Sequence, residues 1–341
     1  MKFTSFLCAL FFSLLLAPAT HAKPAASRVL QKHAAPITAL TYSPDGKTLA
    51  SADEGGRVKL TDVGNGKTKL TFRYKEKVAA LAYSPDGKML AVGRAREVRL
   101  LNPQTAAPIR VLKTQKEVGG ALNFSANGQR LIVTEGDGQG GAACSVWKIV
   151  NGKQLRRHTA KNAEINGAAL SPDGKTFVAP DTSVADVALW NVAIGKRVRV
   201  LDIPNTKSGG SPYFGTVAFS PDGKFLAGTG SFMEGPGHLT IWNVSTGKIK
   251  WGRTFDDYGG ALAWSPDSSR LAVGTFYDTT YDDPDNLHRP TGAPIFNARS
   301  SQWKQSVQRT PDKINALSFS PDGQTVAVGV GKIVRLWRTA N

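Results

Sequence analysis

The chain has 341 residues, with 43 Lys and Arg against 26 Asp and Glu, for a formal net charge of +17 at pH 7. Its hydrophobic share of 41% is too high for an intrinsically disordered chain, and its two cysteines are too few for a small disulfide-stapled domain. The charge excess calls for an anionic partner or a solvated basic edge.

Met1-Lys2 is a short positive start, and Phe6–Ala17 is an apolar run closed by Pro18. Thr20-His21-Ala22 then places small residues at the −3 and −1 positions of a cleavage site. Residues 1–22 read as a secretory signal peptide, because the apolar run is shorter than the roughly 18 residues a membrane anchor needs. The mature chain, residues 23–341, is expected to be one exported domain, periplasmic or secreted. Removing Lys2 lowers the net charge from +17 to +16. One thiol, Cys144, remains, which leaves no internal disulfide to form. Its position before Trp147 predicts a small buried side chain.

From Ser43 onward one phrase recurs. Ser-Pro-Asp-Gly-Lys begins at 43, 84, 171 and 220, with degraded copies at Ser125, Ser265 and Ser320. The intervals are 41, 41, 46, 49, 45 and 55 residues, a period that marks a repeat architecture. Each copy follows a short apolar run ending in Tyr42, Tyr83, Phe124, Leu170, Phe219, Trp264 or Phe319. Such runs predict buried strands, and Pro-Asp-Gly predicts the turn after them. A second strand follows, such as Thr48–Ser51. A third often ends in Trp: Trp147, Trp190, Trp242 and Trp337. Three of these are followed five residues later by a turn glycine, Gly152, Gly195 and Gly247. A fourth, basic strand comes next, as in Lys196–Val200.

Seven such units, from Arg28 to Arg338, resemble the WD-repeat family of β-propellers. The resemblance implies an all-β fold of seven four-stranded antiparallel blades. The match has gaps. The Trp that ends a third strand is followed by Lys, Asn or Arg and never by Asp, and only His33 sits near the place of the family's Gly-His pair. The family's buried hydrogen-bond network is therefore expected to be missing from most blades. The last unit supplies three strands and the chain then ends. Arg28-Val29-Leu30-Gln31 is expected to supply the fourth and close the ring.

The chemical motifs fail on context. Gly136-Asp137-Gly138-Gln139-Gly140-Gly141 fits G-x-G-x-x-G, but Ala142–Trp147 reads as a strand where a dinucleotide site needs a helix. Gly66-Lys67-Thr68 lacks the earlier glycine of a P-loop, since that position is Thr61. The mature histidines, His33, His158, His238 and His288, make no metal-ligand spacing with one another or with Cys144. No catalytic residue, cofactor or metal is assigned, and the chain is read as a non-enzyme.

Binding residues are expected where long connections meet on one face over blades five and six: 203–213, 229–238 and 275–292. Their aromatic and polar candidates are Tyr213, Phe232, Met233, His238, Tyr258, Tyr277, Tyr281 and His288. The acids beside them are Asp256, Asp257, Asp278, Asp282, Asp283 and Asp285. Long loops on a rigid scaffold concentrate binding residues, and aromatics among charges suit an interface. A self-packed insert with solvated carboxylates is the alternative, and Asp282, Asp283, Asp285 and Asn286 could supply oxygens to Ca²⁺. The resemblance implies scaffolding: a monomer that binds another protein. Two other readings stay open, a metal-dependent hydrolase or lactonase-like propeller and a binder of anionic envelope polymers through the basic rim. Nucleic acid is disfavoured as a partner by the export signal.

Overall fold

The computed structural model describes residues 27–136, 141–161, 167–181, 186–202, 212–232, 237–255, 258–276, 291–310 and 313–339. Residues 1–22, the expected signal peptide, lie outside them. Among the described residues every regular element is a strand, and the strands form seven four-stranded antiparallel sheets. Blade 1 runs from the innermost strand outward as Ile37–Tyr42, Thr48–Asp53, Arg57–Asp62 and Thr68–Arg73. Blades 2 to 6 repeat this order over 78–113, 117–161, 169–200, 212–255 and 258–310. The innermost strand of blade 4 is reduced to Ala169–Leu170.

The ring closes through its ends. Blade 7 takes Ile314–Phe319, Thr325–Val330 and Ile333–Arg338 from the end of the chain and Ser27–Lys32 from its start. Ser27 pairs with Trp337, Arg28 with Leu336 and Val29 with Arg335. The core between blades 7 and 1 joins Leu30, Ile37, Leu40 and Leu49 to Ala327, Val334 and Leu336. Closure thus couples hydrogen bonding to apolar burial at the seam.

The recurring phrase is explained by what each of its atoms does. Ser43 Oγ donates to Asp45 Oδ1 at 2.5 Å and accepts the Thr48 N–H at 2.9 Å. Asp45 Oδ1 also accepts the Lys47 N–H at 3.0 Å. Gly46 turns the chain at φ 71°, a conformation that favours glycine. A Cβ at Gly46 would touch Pro321, and one at Gly87 would touch Pro44, so the proline of one turn packs on the glycine of the next blade's turn. The phrase therefore encodes both a hairpin and a contact between blades. The degraded copies keep the pattern: Asn127 replaces the acid in accepting from Ser125 at 2.7 Å, and Ser268 takes the glycine's place at φ 60°.

The third-strand tryptophans are core residues to differing degrees. Trp242 is 1% exposed, Trp337 3% and Trp147 6%, while Trp190 is half-buried against His158 with ring centroids 4.4 Å apart. Cys144 lies in the third strand of blade 3, 1% exposed, and burial pushes its thiol up to about 12. The G-x-G-x-x-G segment joins strands Arg130–Gly136 and Gly141–Lys148 of one sheet. Gly141–Lys148 is a strand where a dinucleotide site needs a helix.

Candidate functional site

Most of the expected loop-face residues lie outside the described residues: Met233, Asp256, Asp257, Tyr277, Asp278, Tyr281, Asp282, Asp283, Asp285 and His288. Tyr213, Phe232 and Tyr258 are placed by their backbones alone, in strands Pro212–Phe219, Phe225–Phe232 and Tyr258–Trp264. The strands of blades 5 and 6 run to the edges of the connections 203–211, 233–236, 256–257 and 277–290.

His238 departs from the expectation. It sits in strand Gly237–Asn243, paired with Gly230, and is 2% exposed. Its ring meets Phe214 edge-on at 4.6 Å, and burial alone lowers its pKa to about 4. The hairpin extends further than the turn spacing implied, because Thr229, Gly230 and Ser231 continue the ladder with Leu239, His238 and Gly237. The side chain is therefore part of the blade.

His33 does build a buried network in blade 1. Its Nδ1 lies 2.8 Å from Asp53 Oδ2 and its Nε2 2.8 Å from Ser51 Oγ. Gln31 bridges the same serine and Thr61. Burial lowers the His33 pKa, against the hydrogen bond it donates to Asp53, which raises it. Blade 3 reaches a related end with other residues: Ser145 Oγ donates to the buried Glu135 at 2.6 Å and accepts from Trp147 Nε1 at 2.8 Å. In blade 2, Glu97 gathers Arg94, Arg99 and Lys113. Burial would raise its carboxyl, but hydrogen bonds from Lys113 and Arg99 outweigh that and hold it at about 2. Each cluster ties adjoining strands together, although Arg94 Nε in blade 2 is buried with no hydrogen-bond partner among the described residues.

The central channel is a 290 Å³ space between the innermost strands. Its polar lining includes Thr38, Asn123 and Asn315, set among alanines and leucines. All three hold neighbouring blades: Thr38 Oγ1 donates to Val78 O at 2.6 Å, Asn123 exchanges hydrogen bonds with Leu170, and Asn315 Nδ2 donates to Ile37 O at 3.1 Å.

The outer strands form a rim that mixes cations with apolar side chains. Ile109 and Val111 are 50% and 40% exposed beside Arg110 and Lys113, and Val198 and Val200 are 51% and 38% exposed beside Arg197 and Arg199. Several rim arginines also have structural work. Arg110, Arg156 and Arg199 donate to backbone carbonyls of the following blade. The sequence read these as edge charges, and their register across the sheet is the signal that would have separated them.

Two family profiles match the chain. One, described as the anaphase-promoting complex subunit 4 WD40 domain, covers residues 26–78, and the other, the WD domain, G-beta repeat, covers residues 304–338. Among curated relatives, the periodic tryptophan protein 2 homolog of Dictyostelium discoideum is 20% identical over 329 residues, covering 87% of this chain and 34% of its own length. The eukaryotic translation initiation factor 3 subunit I of Neosartorya fischeri is 28% identical over 153 residues, covering 45% of this chain and 39% of its own length. The chain thus spans well under half the length of either relative, and both come from eukaryotes. Fold and profiles together make this chain a seven-bladed β-propeller with WD40 repeat matches in its first and last blades.

Proposed function

We propose that this chain is an exported, non-catalytic scaffold that binds another protein, chiefly through the loop face of blades 5 and 6. The observation that carries the reading is the division of labour in the ring. The clustered polar side chains of blades 1, 2 and 3 are spent on holding strands together, while the strands of blades 5 and 6 run to the edges of the long connections 203–211 and 277–290. A closed ring is a rigid platform, and binding residues concentrate on the loops of such platforms. The likeness to WD40 repeats supports the same class, since WD40 propellers generally bind other proteins. Export rests on the charged start, the apolar run Phe6–Ala17 and the small residues before position 23.

The rim supports a second reading, an anionic envelope polymer as the bound species, because exposed cations there flank exposed aliphatics. One comparison separates the two. Residues 277–290 are replaced by a short Gly-containing turn in one variant, and Lys196 and Lys248 are neutralised in another. Affinity capture from the native envelope is then read by mass spectrometry. The scaffold reading expects loss of the captured protein with the loop variant alone, at an unchanged melting temperature. Loss with the rim variant alone overturns it in favour of the basic edge.

A further inference from the structure

The boundaries between blades carry a repeated device. On each fourth strand one residue lies opposite the penultimate core residue of the third strand: Arg28, Leu70, Arg110, Arg156, Arg199, Trp251 and Gln305. From this place the side chain reaches the turn between the third and fourth strands of the next blade. Arg28 donates to Val63 O and Gly64 O, the latter at 3.1 Å. Arg110 donates to Val150 O at 3.2 Å. Arg156 forks to Val192 O at 3.2 Å and Ala193 O at 2.6 Å. Arg199 donates to Thr246 O at 3.0 Å, and Trp251 Nε1 donates to Ala298 O at 2.9 Å. The side chain of Gln305 lies outside the described residues.

Leu70 breaks the pattern, since a leucine has nothing to donate to blade 2. Blade 2 also lacks a second tie. Elsewhere the residue just after the third strand, or its equivalent, donates its N–H back to the Ser-Pro-Asp-Gly hairpin, as Val63 does to Lys47 O at 3.0 Å and Val192 to Lys175 O at 2.9 Å. The equivalent in blade 2 is Pro103, which has no N–H. A cleft of 890 Å³ opens at this boundary, bordered by Leu70, Tyr83, Pro103 and Gln104. The corresponding cleft between blades 7 and 1, where Arg28 is in place, is 370 Å³.

We propose that the cleft between blades 1 and 2 receives an arginine side chain from a partner protein, which completes in trans the clasp that five other boundaries make in cis. The chemistry follows from what surrounds the cleft. The carbonyls of Pro103 and Gln104 correspond to those that accept a guanidinium from Arg28 and Arg156. Asp45 and Asp86 border the same space as carboxylates. Hydrogen bonds from Ser43 and Ser84, and from the backbone N–H groups of Lys47 and Lys88, keep both acids ionised. Of the two lysines at the rim, Lys69 is committed to Asp62 at 3.1 Å and Thr48 at 3.1 Å, while Lys88 is exposed. Tyr83, 9% exposed and part of the core shared by blades 1 and 2, borders the inner end of the cleft. A planar fork of donors meets paired carbonyls better than an ammonium does.

This proposal rests on the scaffold reading, but its test needs no partner in hand. N-acetyl-arginine amide is titrated against the full chain by NMR, beside the lysine and citrulline equivalents. The arginine probe is expected to bind at least about fivefold more tightly than the lysine probe, and the uncharged citrulline probe not to saturate. Leu70→Arg fills the cleft from within. It should weaken arginine binding at least about tenfold while raising the thermal midpoint, because a guanidinium–carbonyl clasp is gained. Asp45→Asn keeps the Oδ1 acceptor of the turn and removes the charge, and should weaken the probe about threefold. Equal binding of the three probes, or undiminished binding by a folded Leu70→Arg protein, overturns the assignment. A concentration-dependent dimer that Leu70→Arg makes monomeric also overturns it, by placing another copy of this chain in the cleft. Failure on any of these counts leaves the capture experiment on the loop variant to decide the scaffold reading independently.

Discussion

Two buried tryptophans offer a matched test of what the indole N–H contributes. Trp242 and Trp337 occupy the same place in blades 5 and 7 and are 1% and 3% exposed. Trp242 Nε1 donates to Asp202 O at 2.7 Å, whereas Trp337 Nε1 is buried with no hydrogen-bond partner among the described residues. Trimming either to phenylalanine removes a similar apolar volume, worth about 1–2 kcal/mol of lost burial and cavity formation. At Trp242 the change also deprives the Asp202 carbonyl of its donor, adding about 1 kcal/mol or more. At Trp337 it removes a donor whose burial already costs about 1–3 kcal/mol, which offsets the lost volume. Trp242→Phe is therefore expected to destabilise by about 2–3 kcal/mol and Trp337→Phe by about 1 kcal/mol or less. Urea titration followed by circular dichroism reads this as a difference in midpoint at unchanged slope. If Trp337→Phe costs as much as Trp242→Phe, the indole N–H is not what distinguishes the two sites.

Deleting Arg28–Gln31 should strip the outer strand from blade 7, expose the edge at Ile333–Arg338 and cause aggregation; unchanged solubility and melting temperature would show that the seam does not hold the ring. His238 should make the fold acid-sensitive. Its pKa is about 4 in the fold against 6.5 for a solvated histidine, so the unfolded chain binds the proton first as the pH falls. Stability is complete above pH 6.5, declines as the pH drops toward 4, and loses about 3 kcal/mol across that window. His238→Leu should flatten the decline in midpoint denaturant concentration between those limits, and a profile identical to the wild type would place the acid sensitivity elsewhere.

The fold was legible because its punctuation has a physical cause at every turn. Ser43, Asp45 and Gly46 can each be assigned an atom-level role, and the same roles recur wherever the phrase recurs, even with Asn127 or Ser268 in place. Ring closure was legible by counting strands. The clusters in blades 1 and 3 were not, apart from His33, because Glu135 and Ser145 come from different strands and meet only through sheet register. His238 was misplaced because turn spacing marks where a loop is centred and not how far the ladder continues into it. The clasping arginines were hidden among 43 Lys and Arg, and composition alone makes them look like edge charges. Yet a position lay open to reading. Arg110, Arg156, Arg199 and Trp251 each fall four residues after a turn residue with positive φ, Ala106, Gly152, Gly195 and Gly247, as does Leu70 after Gly66.

That single leucine shows how a closed ring can carry a local exception. In an open stack, a boundary missing its clasp would be a place to fray. Here blades 1 and 2 are held from both directions around the circle, and they share a continuous core of Ala50, Val58, Leu60, Val78, Leu90 and Val92 beneath the cleft. Apolar burial at the boundary stays intact while the polar clasp above it is withheld. Stability and binding then draw on separate layers: the core sets the blade spacing, and the turn carbonyls above it are left for a donor from outside. A guanidinium supplied at position 70 would strengthen the boundary and close it at the same time. The opposed movement of melting temperature and arginine binding in Leu70→Arg is the signature that distinguishes a binding cleft from a packing fault.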